Sequence, residues 1–205
     1  FINDHLVGLP YFKNSSKINK SQKSEKLQIL HAPSHVFAKG SKKIEAIVKE
    51  LEKDYPVKYV ELKNVPHSKV AEKLADTDIV IDQLYCDAAV AGLTTEALCF
   101  GKPVFVGSYV SKEEIEKYSP LPLDFVIMLH PDNLKKTLID YLENPEKLAE
   151  ISLETQKYLK VFLNSEAIAK RWKSIIYNNV SENWYVQSKD IDYMMGWGVS
   201  EKYLK

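Results

Sequence analysis

The chain has 205 residues, 45 % apolar and 27 % charged, enough for one large domain or a domain with an appendage. Lys plus Arg balance Asp plus Glu at 28 each, so the net charge gives no electrostatic case for nucleic acid as a partner. No apolar run approaches the ~20 residues that span a bilayer, and the two cysteines, Cys86 and Cys99, are too few for a disulfide framework and lack zinc-ligand spacing.

In chain order, residues 1–12 (FINDHLVGLPYF) are apolar and end in a Pro turn. Residues 13–26 (KNSSKINKSQKSEK) cannot bury a core and read as a polar linker. No signal-peptide pattern occurs; because the chain begins at Phe1 without Met, that absence carries no weight. Strands and helices then alternate. LQILHAP (27–33) reads as a strand, and SKKIEAIVKELEKDY (41–55) as a helix with Ile44, Ile47, Val48 and Leu51 on one face. VKYVELK (57–63) is a strand, HSKVAEKLADT (67–77) a short helix and DIVIDQ (78–83) a strand. Residues 92–100 make a helix, PVFVG (103–107) a strand and FVIMLH (125–130) another. Pro131 suits a helix start, Asn144-Pro145 a second with Asn as cap, and 164–177 forms a third helix. The tail from Trp184, with Tyr185, Tyr193 and Trp197, is aromatic. Near-continuous apolar strands separated by helices predict a parallel sheet covered on both faces.

In such sheets ligands bind beyond the carboxyl ends of the strands. Those ends run into HAPSHVFAKG (31–40), NVPHS (64–68) and DQLYCDAAVAG (82–92). His31 ends a buried strand and fits a core histidine as well as a ligand, while His35 and His67 lie in loops. The amides of Gly92, Leu93 and Thr94 open a helix and are candidates to cradle an anion; Lys39-Gly40 is a second cationic element. No Walker loop and no G-x-G-x-x-G occurs. Asp76-Thr77-Asp78 has D-x-D spacing but precedes its strand, which puts the carboxylates at the wrong end of the sheet for a metal site. Glu96 sits inside an otherwise apolar helix and needs a partner, because a buried carboxylate without one costs several kcal/mol.

HAPSHVFAKG, DIVIDQLY and above all GLTTEALCFGKPVFVG resemble the C-terminal domain of GT-B fold glycosyltransferases, closest to the retaining "glycosyl transferases group 1" family, over about 27–178. The resemblance implies a donor half, residues 27–180, of a two-domain enzyme whose acceptor half precedes it. The 1–26 segment and a 181–205 tail packed on that other half complete the organisation. It implies that Glu96 accepts hydrogen bonds from the donor ribose, that Lys39 neutralises the diphosphate, and that the amides at Gly92, Leu93 and Thr94 face the distal phosphate. The loop with Val65 and His67 contacts the base; Ser34, Gly40 and Asp87 complete the donor set. Two positions depart from the family pattern: its sugar-contacting Glu is Ala88 here, with Asp87 adjacent, and its Arg is Ser34. The implied reaction moves a sugar from a UDP- or GDP-linked donor to a glycan or lipid-type acceptor. It proceeds without metal or other cofactor and with retention. The implied location is cytoplasmic, with peripheral membrane association through the acceptor half, and the chain by itself would bind nucleotide weakly and transfer nothing. A GT-B fold epimerase and a non-catalytic module with a decayed site are the alternatives.

Overall fold

The computed structural model describes residues 25–86, 90–116, 122–180 and 182. The expectations for the N-terminal segment, the aromatic tail, Asp87 and Ala88 therefore fall outside the described residues.

Five parallel strands form one sheet: β1 (Leu27–His31), β2 (Val57–Glu61), β3 (Ile79–Cys86), β4 (Val104–Ser108) and β5 (Ile127–Leu129), in the spatial order β2-β1-β3-β4-β5. Helices α1 (Ser41–Leu51), α2 (His67–Asp76), α3 (Gly92–Cys99), α4 (Lys112–Glu116), α5 (Leu134–Glu143), α6 (Pro145–Tyr158) and α7 (Ser165–Ile176) connect and follow them. The Rossmann-like α/β architecture read from the sequence is the fold of the chain.

The strands are apolar at consecutive positions because both faces are covered. Ile29, Ile79, Ile81 and Phe105 turn to one face and meet Ile44, Val48 and Leu51 of α1 and Leu134 and Leu138 of α5. Leu30, Val80, Val104 and Val106 turn to the other and meet Leu74 of α2, Ala97 and Leu98 of α3, Tyr158 of α6 and Ile168 of α7. All but Tyr158 and Ile168 are within 1 % of complete burial, and each Leu, Ile or Val contributes about 1.5–3 kcal/mol on removal from water.

β3 is longer than its sequence pattern predicts, and it is bulged against β4. Ile81 pairs with Phe105, Gln83 with Val106 and Cys86 with Ser108, so two steps and then three on β3 oppose one and then two on β4. The bulge presses Leu84 onto Gly107, where an added Cβ would lie 2.4 Å from the Leu84 carbonyl oxygen. The Leu84 N–H, turned away from β4, donates to the Lys39 carbonyl at 3.1 Å.

Other boundaries also shift. The turn after β5 begins as 3-10 (Pro131–Asn133), capped by the His130 side chain accepting from the Asp132 N–H, before α5 opens at Leu134. Pro145 occupies the first turn of α6 as expected, but the Asn144 side chain makes no cap bond to α6; its amide donates back to the Asp140 carbonyl at 2.7 Å. At α7 a side-chain cap is present, Asn164 Oδ1 accepting from the Ala167 N–H at 2.9 Å. The short α4 and the π-turn Leu159–Leu163 that ends α6 have no signal in the periodicity.

Candidate functional site

Strand order reverses at β1: the chain leaves it for β2 on one side and returns to β3 on the other. The helices that follow must part there, which opens a crevice beyond the carboxyl ends. A cavity of about 430 Å³ occupies that place. It is lined after β1 by Ala32, Pro33, Ser34 and Lys39, after β2 by Leu62, Asn64, Val65, His67 and Val70, and after β3 by Gly92, Leu93 and Glu96. Three loops far apart in sequence thus bring Ser34, Lys39, Val65, His67, Gly92, Leu93 and Glu96 to one wall.

Lys39 is seven-eighths buried, and its Nζ lies 2.5 Å from Asp82 Oδ1, whose side chain is fully buried. Asp82 also accepts from the Thr94 hydroxyl at 2.6 Å and the Thr94 N–H at 3.2 Å, both at Oδ2. Four polar groups close one network: an ammonium, a carboxylate, a hydroxyl and a first-turn amide. Asp82 is a strand residue, as the sequence pattern predicts, and it ties the Lys39 loop to the start of α3, which the pattern does not show. The Thr94 N–H is spent on that carboxylate, which leaves Gly92 and Leu93 as the amides open to an anion. Gly92 is exposed, and a Cβ there would meet no atom within 4 Å. The N-cap residue of α3, Ala91, gives no side-chain cap bond.

The acid that looked stranded in an apolar helix has a partner. Glu96 Oε1 lies 2.8 Å from His67 Nε2, with Glu96 34 % and His67 73 % exposed. His67 is the first residue of α2, and Asn64, with φ +54°, turns the loop so that α2 starts over the cavity. The carboxylate keeps further lone pairs for a diol facing the cavity.

The remaining candidates separate cleanly. His31 is fully buried in the core: its Nδ1 donates to the Ile81 carbonyl and its Nε2 accepts from the Ser41 hydroxyl, each at 2.8 Å. Burial pushes its pKa down, so the ring is neutral. His35 accepts from the Ala38 N–H within its own turn. Gly40, at φ +71°, packs against Leu84 and Tyr85 beneath the Lys39 loop. Asp78 accepts from the Gln28 N–H at the amino end of the sheet, so the D-x-D run lies away from the cavity as expected. Among the described residues no three His, Cys, Asp or Glu cluster as a metal site, and no helix is long and apolar enough to cross a membrane. The Cys99 thiol, pushed up to about 12 by burial, donates to the Thr95 carbonyl.

No family model matches the chain, and no curated protein matches it. Solved structures do share its fold. HepE from Anabaena, solved with UDP-glucose, aligns at a TM-score of 0.50 and 13 % identity over 75 % of this chain and 49 % of its own. TarM from S. aureus, in a variant solved with fondaparinux, alpha-GlcNAc-glycerol and UDP, aligns at 0.52 and 13 % identity over 77 % of this chain and 37 % of its own. A GtfA/B complex aligns at 0.54 and 8 % identity over 78 % of this chain and 37 % of its own. The chain spans about half the length of HepE and less of the other two. At these identities the likeness is one of fold, the Rossmann-like half of a GT-B architecture.

Proposed function

We propose that this chain is the donor-binding half of a glycosyltransferase, and that the cavity at the β1 switch point takes the nucleoside diphosphate of a UDP- or GDP-linked sugar. The observation that carries this reading is the convergence of Lys39, Glu96, His67 and the α3 amides on one cavity. Its size falls in the ~300–1,000 Å³ range of small-ligand sites. That HepE and TarM, which share the fold, were solved with UDP-glucose and UDP supports the nucleotide class.

Each residue then has a physical task. Glu96 accepts from the ribose diol, with His67 holding the carboxylate in place. The loop at Val65 lies against the base. Two Lys39 protons remain for the diphosphate after one is given to Asp82. Asp82 fixes where that ammonium points, so its position is set before the donor arrives. The Gly92 and Leu93 amides face the distal phosphate. As the glycosidic bond breaks, the leaving diphosphate gains charge, and these donors stabilise it without reorganising. Metal independence, retention of configuration, an acceptor half elsewhere in the protein, a glycan or lipid-type acceptor and a cytoplasmic setting belong to the same reading.

The test is nucleotide-induced thermal stabilisation of the intact full-length protein. Saturating UDP or GDP at 100 times its dissociation constant should add about 2.7 kcal/mol, a shift of several degrees. Sugar transfer by the same preparation should fall at least tenfold in Glu96→Ala. No stabilisation by either nucleotide would remove the donor-site assignment.

A further inference from the structure

The carboxyl end of the sheet does not stop at Lys39. Past it, the ends of β3, β4 and β5 carry side chains that the cavity does not use. Tyr85, at the end of β3, is 40 % exposed, and Tyr109, just after β4, is 67 % exposed. Their rings lie within 5° of parallel with centroids 6.1 Å apart. His130, just after β5, sets its ring edge-on to Tyr109 at 5.4 Å. Beside them Lys43 Nζ lies 2.5 Å from Asp132 Oδ1. The result is an aromatic ledge at the ends of three neighbouring strands, with one ammonium, one carboxylate and one imidazole around it.

The ledge adjoins the cavity. A Cβ on Gly40 would lie 3.0 Å from the Tyr85 ring, so the ring rests on the residue next to Lys39. The β3 bulge holds it there: Leu84 is pinned between Gly107 and the Lys39 carbonyl, and Tyr85 is the next residue. Core packing does not account for the arrangement, since both rings face water. The exposed ring of Tyr109, with the parallel Tyr85 ring beside it, presents negative π-surface, which attracts the C–H bonds of a sugar ring. The charged rim suits hydroxyl groups, which hydrogen-bond to a carboxylate and an ammonium together.

We propose that Tyr109, backed by the parallel Tyr85 ring, forms a carbohydrate platform, on which a pyranose ring stacks with its hydroxyls turned to Lys43, Asp132 and His130. The proposal rests on the reading of the adjoining cavity as a nucleoside diphosphate site, because the Tyr85 ring packs on Gly40, the residue next to Lys39. The ring comes from the donor or from the acceptor, and the two sources give different signatures.

The test uses the intact full-length protein and the variants Tyr109→Ala and Tyr109→Phe, chosen because Tyr109 is the more exposed ring. Calorimetry compares UDP with UDP-glucose, GDP with GDP-mannose, and maltotriose alone. The expected result is a loss of about fivefold in affinity for the nucleotide sugar in Tyr109→Ala, with nucleotide affinity unchanged and Tyr109→Phe close to wild type. Loss of maltotriose binding with both nucleotide sugars unchanged supports the platform and assigns the ring to the acceptor. Wild-type nucleotide binding with Tyr109→Ala indistinguishable from wild type on every sugar overturns the platform alone. Absence of nucleotide binding to the wild type overturns the cavity reading, and the platform with it.

Discussion

The two ends of the sheet handle charge differently. At the amino end, Asp78 accepts from the Gln28 backbone N–H, and the buried Lys102 donates to the Ala75 carbonyl at 3.1 Å. Those bonds join side chain to backbone and hold one element against the next. At the carboxyl end, Lys39 pairs with Asp82 and His67 with Glu96, side chain to side chain, around a cavity. A charge spent on backbone belongs to the fold. A charge facing another charge across a cavity can be shared with a ligand, because either member keeps hydrogen-bonding capacity.

Asp82 gives the sharpest way to break this contrast. Asp82→Ala removes the counter-charge of a mostly buried ammonium, and urea unfolding should record a loss of about 3–5 kcal/mol. Lys102→Met at the amino end removes the bond to the Ala75 carbonyl and should cost at least about 1–2 kcal/mol with nucleotide affinity unchanged. Equal losses of stability and of affinity in both variants would erase the distinction between the ends. Gly107→Ala probes how the carboxyl end is built. Its Cβ would meet the Leu84 carbonyl at 2.4 Å, so β3 must shift and carry the Lys39 loop with it. The expected cost is about 1–3 kcal/mol, read as a lower melting temperature, with weakened nucleotide binding. A wild-type melting temperature would mean the bulge is not held by that contact.

His31 makes a smaller, pH-dependent contribution beneath the cavity. Burial lowers its folded pKa, so the unfolded chain binds the proton more readily. Stability is therefore present above the usual histidine value of about 6.5 and falls as pH drops through it toward the folded value. The urea midpoint should decline between pH 7 and pH 5, and His31→Gln should flatten that slope. An unchanged slope would place the proton uptake elsewhere.

What could be read from sequence follows from the range of the forces. Ile29 and Leu30, or Val104 and Phe105, announce a doubly covered sheet because adjacent apolar residues have only that use. Lys39, His67 and Gly92 are legible as strand-end residues because strand ends converge in this architecture, whereas Glu96 joins them only through the family resemblance of its helix. The role of Asp82 is not legible: a carboxylate after an apolar run looks like the end of a strand, and its partner Lys39 lies 43 positions away. The His67–Glu96 pair spans 29 positions, so Glu96 looked unpartnered. The β3 bulge depends on Gly107 in another strand. Asn144 chose between two helices, and local pattern favours the next helix when geometry favours the last. The Tyr85–Tyr109 ledge is likewise visible only once β3 and β4 lie side by side.

The proposed nucleotide site at Glu96 and its neighbours is open to calorimetric titration of UDP and GDP into the intact full-length protein, its Glu96→Ala variant and its Lys102→Met variant. Saturable one-to-one binding of one of the two nucleotides to wild type and Lys102→Met is expected, with a loss of at least tenfold in Glu96→Ala. Undiminished affinity in Glu96→Ala, or no binding of either nucleotide to the wild type, would contradict it.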